Sequence, residues 1–107
     1  MLEGYLYEVV SREESGAVVR LLPESPIFKA HFPTFPITPG VTLVQMALEL
    51  MGKKLLSAKD IKFVGPVLPT ADGPQLRYEW TYKEGGRADV SLFLTDGTLC
   101  TKMVLGV

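Results

Sequence analysis

The sequence predicts an α+β fold in which one helix packs against an antiparallel sheet. Two patterns support this prediction: alternation of apolar and polar residues over 75–83 and again over 88–94, and one long apolar run from residue 41 to about 54. Alternation with a period of two is typical of a strand with one buried face. A run that is apolar nearly all round is typical of a buried helix. Together they favour a meandering sheet that curves around the helix.

The first third of the chain predicts a hairpin followed by an irregular segment. Residues 5–10 and 17–22 are rich in Tyr, Val and Leu, and they flank the polar stretch REESG. Residues 23–40 contain five of the eight prolines. Because proline lacks an amide donor, this segment is expected to form neither a regular helix nor an inner strand.

The helix over residues 41 to about 54 is expected to expose one polar stripe. Pro39 and Gly40 precede it, and Gly52 indicates a weak point near its end. The polar residues of the run are spaced three, four and four apart, which places them on one face: Thr42, Gln45, Glu49 and Lys53. The sequence therefore predicts a buried helix with a polar edge.

The remaining strands follow from turn signals. AKDIKFVGPVLP predicts a strand that is interrupted at Gly65 and Pro66, and the loop PTADGP follows it. QLRYEWTYK and ADVSLFLT alternate on either side of the turn EGGR, and Asp96-Gly97 is a hairpin signal before TLCTKMVLGV. The Tyr78, Trp80 and Tyr82 row is interpreted as a packed sheet face, and Cys100 as a buried core residue.

Composition excludes several classes of function. The chain has 107 residues and a net charge of −1, which suits a single domain over 1–107 and gives no sign of nucleic-acid or membrane binding. One cysteine and one histidine permit neither an internal disulfide nor a typical zinc site, so no metal and no cofactor is expected. With no basic leader and no apolar span of roughly 20 residues, a cytoplasmic protein is expected.

The only histidine stands in an informative setting. HFPTFPITPGV places His31 at the head of a proline-rich bend that leads through Gly40 into the helix. This segment resembles the active-site segment of the 3-hydroxyacyl-carrier-protein dehydratases, which have the hotdog fold. IKFVGPVLP, residues 61–69, is similar to a second strand motif of that family, and LLPESPIFKAHFP is similar to its approach to the histidine.

The resemblance implies a hotdog fold that dimerises edge to edge, and a substrate thioester carried on a phosphopantetheine arm, as in fatty-acid biosynthesis. It also implies that His31 is the general base, since the pKa of imidazole lies near neutrality. The amides of the first helical turn lack hydrogen-bond partners within the helix and lie at the positive end of its dipole. The amide of Gly40, and that of Val41, are therefore expected to polarise the thioester carbonyl.

The sequence departs from the family where an acid is needed to protonate the leaving hydroxyl. The family carries Asp or Glu five residues after the glycine, whereas this chain carries Gln45. An amide does not release a proton near pH 7. Three alternatives remain open: Glu49, one turn further on, is the acid; His31 is both base and acid while Gln45 orients the hydroxyl; or a different hotdog subunit supplies the acid.

Other interpretations of these residues stay open beside the catalytic one. Glu49 is four residues before Lys53 and is suited to an ordinary surface ion pair. Phe32, Phe35 and Leu43 are candidates for the acyl tunnel, although core residues have the same pattern. The leading hypothesis is a lyase acting on 3-hydroxyacyl thioesters of acyl carrier protein or coenzyme A. The alternatives are a non-catalytic acyl-binding subunit that pairs with an active relative, and a hotdog thioesterase in which Glu49 is the base. The expected assembly is a homodimer or a heterodimer with a related subunit.

Overall fold

A computed structural model describes residues 2–30, 38–69 and 73–107, and the elements below are those of the described residues. The strands are β1 (Tyr7–Glu13), β2 (Gly16–Leu21), β3 (Ser57–Phe63), β4 (Gln75–Lys83), β5 (Arg87–Leu94) and β6 (Leu99–Gly106). The helices are α1 (Pro26–Ala30) and α2 (Gly40–Met51). The long helix, the N-terminal hairpin and the alternating strands of the last third are thus all confirmed.

The strands form one antiparallel sheet in the order β1-β2-β4-β5-β6-β3. Short turns join β1 to β2, β4 to β5 and β5 to β6, as the turn signals predict. Gly85, Gly86 and Gly97 take positive φ angles in these turns, a conformation that glycine adopts without steric cost. Strand β3 arrives after the helix and pairs with β6, so it forms one edge of the sheet.

The core lies between α2 and one face of the sheet. The predicted alternation holds from Gln75 to Trp80, because Leu76, Tyr78 and Trp80 of β4 are buried while Glu79 is exposed. The predicted packed row stops there, since Tyr82 is 49% exposed near the end of the strand. From the helix, five apolar residues are buried against that face: Leu43, Met46, Ala47, Leu48 and Leu50. Cys100 is buried as well, and burial raises the pKa of its thiol.

Two elements differ from the prediction. A five-residue helix, α1, forms inside the proline-rich segment that was expected to contain no regular helix. It begins at Pro26, and proline is tolerated in a first helical turn because the amides there have no partner within the helix. Helix α2 ends earlier than expected, at Met51, since Gly52 takes the left-handed conformation with φ 67° and its N–H bonds to the Glu49 carbonyl oxygen. No helix of the described residues is both long and apolar enough to cross a membrane.

A buried hydrogen bond joins the sheet to the helix. The Tyr78 hydroxyl donates to the carbonyl oxygen of Leu43 over 2.9 Å, and the ring is fully buried. Burial also raises the pKa of this phenol, so it stays protonated and remains a donor. The bond fixes the first turns of α2 against the middle of β4.

A second link, made by one carboxylate, joins the N-terminal residues to the helix. Glu49 accepts hydrogen bonds from the amides of Leu2 (2.8 Å) and Glu3 (3.0 Å), from the Tyr7 hydroxyl (2.9 Å) and from the side-chain amide of Gln45 (3.0 Å). Burial by itself raises the pKa of Glu49, but the four donors together hold it below the ordinary value of 4.5. Burial and the neighbouring carboxylate raise the pKa of Tyr7, which therefore remains a donor.

Replacing Tyr78 by Phe is expected to lower the free energy of unfolding by about 1 kcal/mol, because the buried Leu43 carbonyl loses a donor while the packing is kept. Tyr82→Phe is the matched control, since Tyr82 lies on the same strand but is 49% exposed. Urea unfolding of the two variants measures the difference. Equal effects in both would show that the Tyr78 hydrogen bond adds nothing.

Replacing Glu49 by Gln is expected to destabilise the protein by about 1–2 kcal/mol at pH 7, since hydrogen bonds to an ionised acceptor are lost at a partly exposed site. A carboxyl whose pKa is lowered on folding stabilises the folded protein at pH values above its ordinary pKa. This stabilisation is lost as the pH falls through the folded-state pKa. The gap between wild type and variant should therefore narrow below about pH 4.5, the ordinary value. Urea unfolding at several pH values tests this, with Glu14→Gln in the exposed β1–β2 turn as control. A gap that does not change with pH would contradict it.

Candidate functional site

The N-terminus of α2 borders an apolar groove. Gly40 is the first residue of the helix, and it lines a groove of about 350 Å³ together with Thr38 and Leu43. The opposite wall is the segment 63–67, which leaves the end of β3. The Thr38 amide donates to the Val67 carbonyl oxygen over 2.9 Å and so ties the two walls together. The predicted oxyanion donor and one predicted tunnel residue therefore meet at one groove.

The ring of Phe63 lies directly over Gly40. A Cβ placed on Gly40 would stand 2.6 Å from Cζ of Phe63, a distance that real Cβ atoms do not show. A side chain at position 40 would therefore displace the Phe63 ring from the helix mouth. The ring itself is 55% exposed, so it covers the helix mouth from the solvent side.

Gln45 and Glu49 line a second groove of about 430 Å³ rather than the first one. Successive helical residues are rotated by about 100°, so Gly40 and Gln45 point about 140° apart, whereas Gln45 and Glu49 are only about 40° apart. Within one protomer the helix mouth and the polar stripe consequently face different sides of α2. A site that needs both must take them from two copies of the helix or from two related subunits.

The surroundings of Glu49 differ from both simple expectations. Glu49 is the acceptor in all four of its hydrogen bonds. Its Oε1 accepts from Glu3 and Tyr7, and its Oε2 accepts from Leu2 and Gln45. In the described part of the chain it forms no ion pair with Lys53. The ammonium of Lys53 instead lies 5.6 Å from the centre of the Tyr82 ring. The surface-pair interpretation of Glu49 is thus wrong.

Other predicted site residues are placed less fully. His31, Phe32 and Phe35 lie outside the described residues. Val41 follows Gly40 in the first turn of α2, and its side chain is 77% exposed. Within residues 2–30, 38–69 and 73–107, no group of three metal-ligating side chains gathers.

Two residues that contact the candidate site were not predicted from the sequence. Phe63 lies in a recognised motif, but nothing in the motif indicates that its ring would cover Gly40. Tyr7 reaches Glu49 across 42 residues of sequence, and its position on a predicted strand gives no sign of that partner. Only the packing of β1 beside the C-terminal half of α2 brings the two together.

Comparison with known proteins gives one family and several structural neighbours. The family model of the ApeI dehydratases, described as ApeI-like, matches residues 9–103. The dehydratase heterocomplex ApeI:P from Xenorhabdus doucetiae superposes with a TM-score of 0.75 at 20% identity, covering 94% of this chain and 96% of that one. No curated protein sequence matches the chain.

More distant neighbours share the fold, and one of them is described as a thioesterase. A hypothetical thioesterase with coenzyme A from Streptococcus pneumoniae has a TM-score of 0.57 at 13% identity, with 92% of this chain and 81% of that one covered. The Escherichia coli PaaI protein of the phenylacetic acid degradation operon has a TM-score of 0.57 at 14% identity, with 92% and 79% covered. At these identities the likeness establishes the fold, which is the hotdog fold that the resemblance implied. Since the family model spans nearly the whole sequence, the chain belongs to the ApeI-like dehydratase family.

Proposed function

We propose that the chain is a subunit of a hotdog dehydratase that interconverts 3-hydroxyacyl and trans-2-enoyl thioesters. The observation that carries the proposal is the family match over residues 9–103, in which the HFPTFPITPG motif leads straight into Gly40 at the mouth of an apolar groove. A thioester carbonyl placed at that mouth would meet the amides of the first helical turn.

The reaction divides among a base, a carbonyl-polarising group and an acid. His31 takes the proton from C2, and the amide of Gly40, assisted by that of Val41, stabilises the negative charge on the thioester oxygen. The electron pair of the C2–H bond then forms the C2–C3 double bond. The C3–O bond breaks, and the hydroxide takes a proton and leaves as water. Leu43, with Phe32 and Phe35, is assigned to the acyl chain.

The proton for the leaving hydroxide is proposed to come from a partner subunit. Gln45 has no acidic proton near neutral pH. Glu49 is ionised and bonded to four donors, so it has no proton to give. The related ApeI:P dehydratase is a heterocomplex, which supports a related hotdog subunit as the source of the acid. The exposed edge strand β3 and its neighbours Leu56 and Val64 suit an edge-to-edge pairing of two sheets.

The thioester is proposed to be carried on acyl carrier protein, with coenzyme A as the alternative carrier, in fatty-acid or related acyl-chain synthesis. The support is the resemblance to the carrier-protein dehydratases for the first, and a neighbour of the same fold with coenzyme A for the second. Both carriers end in the same phosphopantetheine arm, so the same groove serves either. Comparing the two substrates in one assay separates them.

His31→Ala is expected to reduce turnover at least about a hundredfold, the usual contribution of a general base. The assay follows interconversion of 3-hydroxyacyl and trans-2-enoyl thioesters, and Thr81→Ala on an exposed position of β4 is the control. Undiminished turnover in His31→Ala would refute the proposed base. Release of free thiol without an enoyl product would instead favour a thioesterase.

Gln45→Glu is expected to raise the activity of the isolated chain about tenfold or more. The new carboxyl would lie beside the ionised Glu49, at the 3.0 Å that now separates Gln45 from it. Like charges so close raise the pKa of one carboxyl, so a protonated acid would be present near neutral pH. Gln45→Leu removes the amide without adding an acid and is the matched control. If the Glu and Leu variants are equally slow, the missing acid does not belong at this position.

A further inference from the structure

The polar stripe of α2 contains a hydrogen-bonded pair, Gln45 and Glu49. We propose that Glu49 is a positioning residue that fixes the Gln45 amide so that its carbonyl oxygen, and not its NH₂ group, accepts the 3-hydroxyl group of the substrate. This inference rests on the proposed function, because it takes the 3-hydroxyacyl thioester as the ligand. It assigns a specificity role to a residue for which the sequence suggested an acid.

Backbone amides determine the chemical state of Glu49. The N–H of Leu2 points at Oε2 over 2.8 Å, and that of Glu3 points at Oε1 over 3.0 Å. A backbone N–H can only donate, so each carboxylate oxygen is required to be an acceptor. The Tyr7 hydroxyl adds a third donor on Oε1 at 2.9 Å. Hydrogen bonds of this kind hold the pKa of Glu49 below 4.5 despite its partial burial.

The state of Glu49 then determines the orientation of Gln45. An ionised carboxylate has no hydrogen to donate, so the side-chain atom of Gln45 that lies 3.0 Å from Oε2 has to be the nitrogen. The two ends of a glutamine amide differ little in shape, and only their partners distinguish them. Here the ionised Glu49 permits only one orientation of the Gln45 amide. The carbonyl oxygen of Gln45 is consequently turned away from Glu49.

An acceptor at this position selects for ligands that can donate. A 3-hydroxyl group donates to an amide carbonyl, whereas a 3-oxo group has only lone pairs and would face another acceptor. A ligand without a donor at C3 forfeits the hydrogen bond to the Gln45 carbonyl oxygen. The arrangement therefore favours the 3-hydroxyacyl ligand over its oxidised counterpart and over an acyl chain without a substituent at C3.

Binding of three stable analogues tests the inference. The probes are pantetheine amides, with nitrogen in place of the thioester sulfur, that carry a 3-hydroxyacyl, a 3-oxoacyl or an unsubstituted acyl chain of equal length. Calorimetry on the chain as it assembles in solution is expected to give about three- to tenfold tighter binding of the 3-hydroxy amide than of the 3-oxo amide. In Glu49→Gln the new side-chain amide can both donate to and accept from Gln45, so the Gln45 amide is free to reverse. The ratio of the affinities for the 3-hydroxy and 3-oxo amides should then fall to about one.

Tyr7→Phe is the matched control, since it removes a donor from Oε1 and leaves the contact of Gln45 with Oε2 in place. It should keep the wild-type ratio, which a general loosening of the site would not. Should Glu49→Gln fail to fold, side-chain amide NMR of wild type, with Gln45→Leu to identify the signal, gives a second measurement. The Gln45 NH₂ signal should shift as Glu49 is protonated below its ordinary value of 4.5.

The outcomes separate this inference from the proposed function. If all three amides bind but the 3-oxo amide binds as well as the 3-hydroxy amide, the inference is overturned while the proposed function stands. A ratio unchanged in Glu49→Gln, or a Gln45 signal that ignores the ionisation of Glu49, overturns it too. If none of the amides binds to the wild-type protein, both the inference and the proposed function are overturned.

Discussion

The burial of α2 against the sheet is the constraint that places the described parts of the candidate site. Leu43, Met46 and Leu50 are committed to the core, and the Tyr78 hydroxyl fixes the rotation of the helix through the Leu43 carbonyl. Because the rotation of the helix is fixed in this way, the directions of its other faces are fixed as well. Its N-terminus opens beside the segment 63–67, and its polar stripe opens on a different side. Helical geometry alone thereby separates the two candidate parts of the site in space.

The polar stripe places a charged carboxylate where it contacts a neutral amide. A carboxylate that is bonded to four donors is held in its ionised form, because each donor favours the charged state over the neutral one. The same donors hold it rigidly, and two of them are backbone amides that no side-chain substitution removes. Such a group is poorly suited to exchange protons near neutral pH. It is well suited to impose a direction on a neighbouring dipole.

Much of the fold follows from local sequence, because period-two alternation and glycine turns act over a few residues. The paired strands β4 and β5 were predictable for this reason, and so was a weak point of α2 at Gly52, although the helix ends there and not near residue 54. The short helix at Pro26 was not, since the surrounding prolines conceal a single helical turn. Three of the four hydrogen-bond partners of Glu49 lie 42 to 47 residues away. Contacts of that separation depend on how whole elements pack, and no local pattern encodes them.

The Phe63 side chain belongs to two parts of the molecule at once. It ends β3, the edge strand at which pairing with a second subunit is proposed, and its ring rests on the glycine at the helix mouth. Mutagenesis at this position would change the shape of the groove and the sheet edge together. Selecting substitutions of residue 63 for a different acyl-chain length would therefore also change the proposed pairing of two sheets at β3. Engineering the two traits independently requires substitutions elsewhere, on the wall from Val64 to Val67 for the groove or on the early residues of β3 for the edge.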